Sequence, residues 1–118
     1  MGLLGRAASR NSVLNASSQD VLDAISSFHQ KHSSFHCVVM QFDKNKEEAL
    51  CDIAEMTSFH GAVCLDMHGK YGLVMLPGGL DMELFSHQLS NSTGSTVIFQ
   101  FTADSPSLAN ETLSSYLQ

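Results

Sequence analysis

The sequence has few basic residues and no long hydrophobic run. Only six of its 118 residues are Lys or Arg, against twelve Asp and Glu, which gives a formal net charge of -6. Nucleic-acid binding draws on clustered Lys and Arg, so this balance predicts no nucleic-acid partner. The longest apolar stretches, such as CVVM and GLVML, fall far short of the ~20 residues that a membrane helix needs, which predicts no membrane span.

Cysteine is also scarce, and its number is odd. The three cysteines are Cys37, Cys51 and Cys64, and no two of them form a CxxC pattern. This usage predicts reduced, buried thiols in a cytoplasmic protein. The chain starts MGLLGRAASR, whose apolar part is too short for a secretory signal, and this agrees with the cytoplasmic assignment.

The residues that are present suit one small globular domain. A length of 118 residues with 43% hydrophobic residues is typical of a chain with a single core. Residues 1–17 are rich in Ser, Ala and Asn with weak periodicity, which predicts a flexible N-terminal segment. Residues 18–118 are predicted to form a single α+β domain.

Hydrophobic periodicity and turn residues divide that domain into eight elements. Amphipathic spacing predicts helices at about 18–32, 46–58, 80–92 and 106–117. Runs of β-forming residues predict four strands, in SFHCVVMQF, GAVCLDM, YGLVMLP and STVIFQFTAD. The six central elements then follow the order β-α-β-β-α-β.

This order is that of the ferredoxin-like split β-α-β fold, with a four-stranded antiparallel sheet and flanking N- and C-terminal helices. A weak internal repeat supports it. At an offset of 35 residues, Val39 falls on Val74 and Met40 on Met75, as expected if one β-α-β unit is used twice. The fold places the first and third strands in the middle of the sheet, with both crossover helices on one face.

The other face of the sheet is the predicted functional surface. Both central strands are apolar on both sides, and a large exposed apolar patch is rare on a monomer. The cover could be the two flanking helices, a second copy of the chain, or a ligand or partner protein. The side chains predicted to bind a partner there are Val38, Met40, Tyr71, Leu73 and Met75.

These features predict a non-catalytic regulatory or protein-interaction module without a cofactor. It would bind a partner protein, itself or a small effector through the sheet face opposite the crossover helices. The two glycines of LPGGLD, Gly78 and Gly79, precede a predicted helix, where backbone N–H groups could hold a small anion. They are the predicted ligand-binding residues.

The alternative is a small enzyme or ligand-binding domain that uses His and Cys residues near the 61–77 hairpin. Cys64 and His68, with His60 before the first strand of the hairpin, could form a nucleophile and base pair if the thiol were exposed. Cys64 lies among apolar neighbours, which predicts an inert thiol and no catalytic residue.

Three histidines also have the spacing of possible metal ligands. His29, His32 and His36 form the pattern H-x2-H-x3-H. A break between a helix and a strand falls between His32 and His36, and the spacing supplies no fourth ligand. The prediction is therefore that these histidines hold no metal.

Overall fold

The computed structural model describes residues 19–67 and 69–117, in which all eight predicted elements are present. The helices are α1 (Gln19–Lys31), α2 (Lys46–Thr57), α3 (Met82–Thr93) and α4 (Pro106–Leu117). The strands are β1 (Phe35–Gln41), β2 (Val63–Asp66), β3 (Tyr71–Pro77) and β4 (Thr96–Ala103), and a 3-10 turn at Ser58–His60 follows α2. The N-terminal segment predicted to be flexible, residues 1–17, lies outside the described residues.

Local side-chain chemistry sets the ends of the helices. The Asp81 carboxylate accepts a hydrogen bond from the Leu84 N–H at 3.2 Å, which caps the start of α3. Gly94 ends α3 in the left-handed conformation, with φ 68°, a backbone region that glycine adopts without a Cβ penalty. The Ser105 hydroxyl accepts from the Leu108 N–H at 3.2 Å and caps α4.

The four strands form one antiparallel sheet in the order β2-β3-β1-β4. The chain is therefore a mixed α+β protein, with β1 and β3 in the middle of the sheet as predicted. In the β1–β3 register Val38 lies opposite Val74, and Val39 lies opposite Leu73. Directly opposite residues of an antiparallel pair point to the same side of the sheet, so this register fixes which side chains share a face.

Helices cover both faces of the sheet and produce two hydrophobic cores. On the terminal-helix face, α1 and α4 pack over one set of strand residues, which includes Phe35, Cys37, Val39, Leu65, Leu73 and Met75. On the crossover face, α2 and α3 pack over the alternate set, which includes Val38, Met40, Val74 and Leu76. The molecule consequently has three layers, and the central strands are buried on both sides.

The strand directions also define two ends of the sheet. Phe35, the first residue of β1, pairs with Pro77 and with Ala103, the last residues of β3 and β4. The last residue of β1, Gln41, pairs with Tyr71 and Thr96. We name these the Phe35 end and the Gln41 end. Because of the connections between elements, α1 and α2 finish at the Phe35 end, and α3 and α4 begin there.

Candidate functional site

The five residues predicted to form one partner-binding surface do not lie on one face. Tyr71, Leu73 and Met75 belong to the terminal-helix face, whereas Val38 and Met40 belong to the crossover face. The shared face predicted for them is wrong because Val38 pairs with Val74 rather than with Leu73 or Met75. Alternation along each strand was apparent from the sequence, but a register one residue away would move a whole strand's side chains to the opposite face.

The terminal helices cover the sheet face opposite the crossover helices. Val21, Ile25 and Phe28 of α1, with Ala109 and Leu113 of α4, are all at most 3% exposed and join the core on that face. Leu73 and Met75 beneath them are fully buried. Of the three covers that the sequence left open, the flanking helices are the one that the structure shows packed on this face. A partner could reach this face only by displacing α1 and α4.

The two glycines predicted to hold an anion lie in the turn between β3 and α3. The Gly78 N–H donates to the Ser34 carbonyl at 2.9 Å, and a Cβ at position 78 would come within 2.6 Å of the same oxygen. Gly78 is therefore explained by the close approach of two backbone segments. The Asp81 carboxylate already occupies the start of α3, so an incoming anion would meet a negative charge there. Gly79 is exposed, and a Cβ there would meet no atom within 4 Å.

The three histidines at metal-ligand spacing have separate roles. His36 is buried, its Nε2 lies 2.8 Å from the Leu80 carbonyl, and its Nδ1 lies 2.8 Å from the Thr102 hydroxyl. A carbonyl can only accept, so Nε2 carries the proton and His36 ties β1 to the turn before α3. His29 Nε2 bonds to the Asp104 carbonyl at 3.0 Å, and His32 packs on Phe28. Within 19–67 and 69–117, no group of three or more His, Cys, Asp or Glu side chains could hold a metal ion.

The thiol predicted to be inert is held in its neutral form. Burial, with smaller contributions from Asp66 and Cys51, raises the pKa of Cys64 to about 12. The nucleophile in cysteine chemistry is the thiolate, so this thiol is a poor nucleophile near neutral pH. Burial alone raises the pKa of Cys37 to about 12 as well. His60 packs its ring edge-on against Phe85 at 4.9 Å between centroids, and His68 lies outside the described residues.

The most exposed apolar side chains of the described chain lie at the Phe35 end. Phe59 has 95% of its surface exposed, Leu84 52%, Leu108 43% and Met56 37%. Met56 and Phe59 stand where α2 passes into the 3-10 turn, and Leu84 and Leu108 stand in the first turns of α3 and α4. Isolated exposed hydrophobic residues are ordinary, but an almost fully exposed Phe beside others is the pattern of an interaction surface.

Three of these residues form one connected surface with two partly apolar neighbours. We name it the Phe59 patch, and it comprises Met56, Phe59, His60, Leu84 and Phe85. Met56 and Phe59 are three residues apart along a continuous helical path, so they are neighbours on one side of it. The contact between the His60 and Phe85 rings then joins the 3-10 turn after α2 to α3, and Leu84 directly precedes Phe85 in the chain. The patch therefore bridges the end of one crossover helix and the start of the other.

The charge around the Phe59 patch has one sign. Asp52 and Glu55 are exposed on the last turns of α2, and Asp81 and Glu83 are exposed at the start of α3. The sequence has no Lys or Arg between residues 47 and 69, and none from residue 71 to the end. None of the four carboxylates has an ion-pair partner in the described part of the chain. The surface is consequently apolar at its centre and acidic at its rim.

An open groove of about 650 Å³ lies between α3 and the edge strand β4. Its walls mix polar and apolar surface, with Glu83, Ser86, His87 and Ser90 on one side. Two of its polar side chains satisfy each other, because the Ser86 hydroxyl donates to the side-chain oxygen of Gln100. The apolar residues that line it, Val97, Ile98 and Phe99, are partly buried, whereas Phe59 is almost fully exposed.

Sequence reasoning missed Phe59 because the residue lies just after the helix predicted at about 46–58 and before the next predicted strand, so no face is predicted for it. The signal that could have revealed it is the local sequence TSFHG, in which an aromatic residue lies between helix-ending Ser58 and Gly61. Gly61 has φ 73°, so the chain turns sharply there.

Comparison of the chain with models of protein families, with curated proteins and with solved structures gives no match in any of the three. Among the helices of residues 19–67 and 69–117, none is both long and apolar enough to cross a membrane.

Proposed function

We propose that this chain is a non-catalytic protein-interaction or regulatory module that binds a partner protein through the Phe59 patch. The observation that carries the proposal is the 95% exposure of Phe59 within a cluster of other exposed apolar side chains. Burying an aromatic side chain on association removes a large apolar area from water, and such residues dominate binding energies. The remaining members of the patch would border the contact and help to exclude water from it.

The patch replaces the sheet face as the proposed binding surface for an energetic reason. Contact with Leu73 or Met75 would require α1 and α4 to leave the sheet and expose a complete core. Contact with Phe59 requires no rearrangement of the fold. Preformed surfaces bind with a smaller entropy cost than surfaces that must first open.

The proposal extends to the class of fold and to the compartment. The element order β-α-β-β-α-β and the strand order β2-β3-β1-β4 support a ferredoxin-like core with one added helix at each terminus. The three cysteines are free thiols, which is the state expected in the reducing cytoplasm. Fold class by itself does not define function, so the Phe59 patch remains the basis of the proposal.

The first test is the solution mass of the full chain, measured by sedimentation over a wide range of concentrations. The variants are Phe59→Ala and Leu108→Ala, because Leu108 is also exposed at the Phe35 end but lies outside the patch. A concentration-dependent dimer lost only in Phe59→Ala would identify a second copy as the partner. A monomer at all concentrations would assign the patch to a different protein.

In the second case the partner is found by affinity capture with the same three proteins and then purified. The proposal predicts that the purified partner binds the wild type and Leu108→Ala, and that Phe59→Ala weakens binding at least tenfold. The free energy of unfolding of Phe59→Ala should stay within about 0.5 kcal/mol of the wild type, because an exposed side chain contributes little to stability. Equal binding by all three proteins would contradict the proposal.

A further inference from the structure

The charges around the patch specify the chemistry of the partner. We infer that the Phe59 patch receives a protein segment whose apolar side chains are flanked by Lys or Arg. This inference rests on the proposed function, and it adds the class of partner. It is carried by four exposed carboxylates at the rim of the patch and by the absence of Lys and Arg from the surrounding sequence.

The carboxylates flank the apolar centre from two helices. On α2, Asp52 and Glu55 precede Phe59 by seven and four residues, a spacing that places them on the same side of a helix as Phe59. On α3, Glu83 is adjacent to Leu84. Carboxylates of both helices therefore border the apolar side chains, a surface that fits an amphipathic segment with a basic rim.

The positive charges of the described chain lie elsewhere. Lys44, Lys46 and Lys70 belong to the Gln41 end, and Lys31 ends α1 on the opposite face of the sheet. Lys46 is engaged at its own end, where its Nζ lies 2.6 Å from the Asp66 carboxylate and 2.8 Å from the Met67 carbonyl. The rim of the patch thus keeps its negative charge, which attracts a basic segment.

The same charges disfavour a second copy of this chain as the occupant. Two copies that met through their Phe59 patches would bring two acidic rims together, and like charges across an interface oppose association. A basic segment would instead be drawn in and oriented by the rim. Such contacts are solvent-exposed, so they are expected to change the association rate and the salt dependence more than the packing.

The test uses the full chain and two synthetic helical peptides with an identical stripe of Leu residues. One peptide carries Lys on both sides of the stripe, and the other carries Glu at the same positions. Binding is measured by fluorescence anisotropy at about 0.05 M and at about 0.5 M salt. We expect the Lys peptide to bind at least about tenfold more tightly at low salt, and the difference to shrink several-fold at high salt.

Two sets of variants locate the binding. Phe59→Ala should weaken both peptides. The double variant Glu55→Gln/Glu83→Gln should remove most of the preference for Lys. Its matched control is Glu48→Gln/Glu111→Gln, which neutralises two exposed carboxylates away from the patch and should keep the preference.

The outcomes separate this inference from the proposed function. Equal binding of the two peptides, lost in Phe59→Ala, would overturn the basic partner and leave the patch as a binding surface. Lys-peptide binding that survives Phe59→Ala would contradict the patch itself. If neither peptide bound at about 1 mM, the inference on partner class would fail, while the sedimentation and capture experiments would still decide the proposed function.

Discussion

The two ends of the sheet differ in how their side chains are used. At the Gln41 end, Lys46 reaches across from the start of α2 to the β2–β3 hairpin and contacts the Asp66 carboxylate and hairpin carbonyls. That charge is neutralised within the chain. At the Phe35 end, the buried His36 ring also forms its hydrogen bonds within the chain, to Thr102 and Leu80. Phe59 and the acidic side chains around it, in contrast, face solvent.

The difference shows that the residues that stabilise the fold and the residues that form the exposed surface can be distinct sets. Both ends contain polar groups that the fold uses to fix a turn, since buried polar groups are costly when they are unpaired. Among the described residues, the large apolar side chains that are most exposed lie at the Phe35 end, with Phe59 foremost. A side chain as exposed as Phe59 contributes little to folding, and we propose that it serves binding.

The largest effect is expected from the internal polar group of the Phe35 end. His36→Ala removes a buried ring and both of its hydrogen bonds, and it leaves the Leu80 carbonyl without its donor. We expect the free energy of unfolding to fall by about 2–4 kcal/mol. Urea denaturation measures this free energy. The matched control is His87→Ala, which removes an exposed histidine of α3 and should leave the stability near that of the wild type. An unchanged free energy of unfolding in His36→Ala would show that these two hydrogen bonds do not stabilise this end of the sheet.

The corresponding experiment at the Gln41 end is Lys46→Met. The Lys46 and Asp66 side chains are each only 17% exposed, so the ion pair is partly shielded from solvent. Loss of this pair and of the carbonyl contacts should cost about 1–3 kcal/mol, discounted because some solvent reaches the site. Lys44→Met is the control, since Lys44 is exposed. If both variants unfolded at the same urea concentration, the contacts of Lys46 with Asp66 and the hairpin carbonyls would not stabilise the protein.

The smallest effect concerns the turn between β3 and α3 at the Phe35 end. Gly78→Ala would force a Cβ against the Ser34 backbone and should destabilise the protein by about 1–2 kcal/mol. Gly79→Ala is the matched control one residue away and should be nearly neutral, because a Cβ there meets no atom within 4 Å. Thermal unfolding of the two variants side by side makes the comparison. The same loss in both would show that glycine flexibility, rather than close approach, explains Gly78.

Much of the fold was predictable from the sequence because its signals are local. The amphipathic spacing of α1, the cap and Pro106 of α4, and Gly94 at the end of α3 each act within a few residues. The strand runs and the position of β1 and β3 in the sheet followed from the element order. The candidate site was predicted poorly. Val38 and Met40 were grouped with the wrong strand partners, and Phe59 was not selected at all.

The sequence by itself determined which segments are helices and strands, where they end, and that the chain is acidic with few cations. These properties depend on near neighbours and on composition. Only the tertiary structure decided which side chains of β1 and β3 share a face, that α1 and α4 cover the sheet, and that Phe59 meets solvent rather than core. Those outcomes depend on strand register and on contacts between residues distant in sequence, and a shift of one residue in register reverses them.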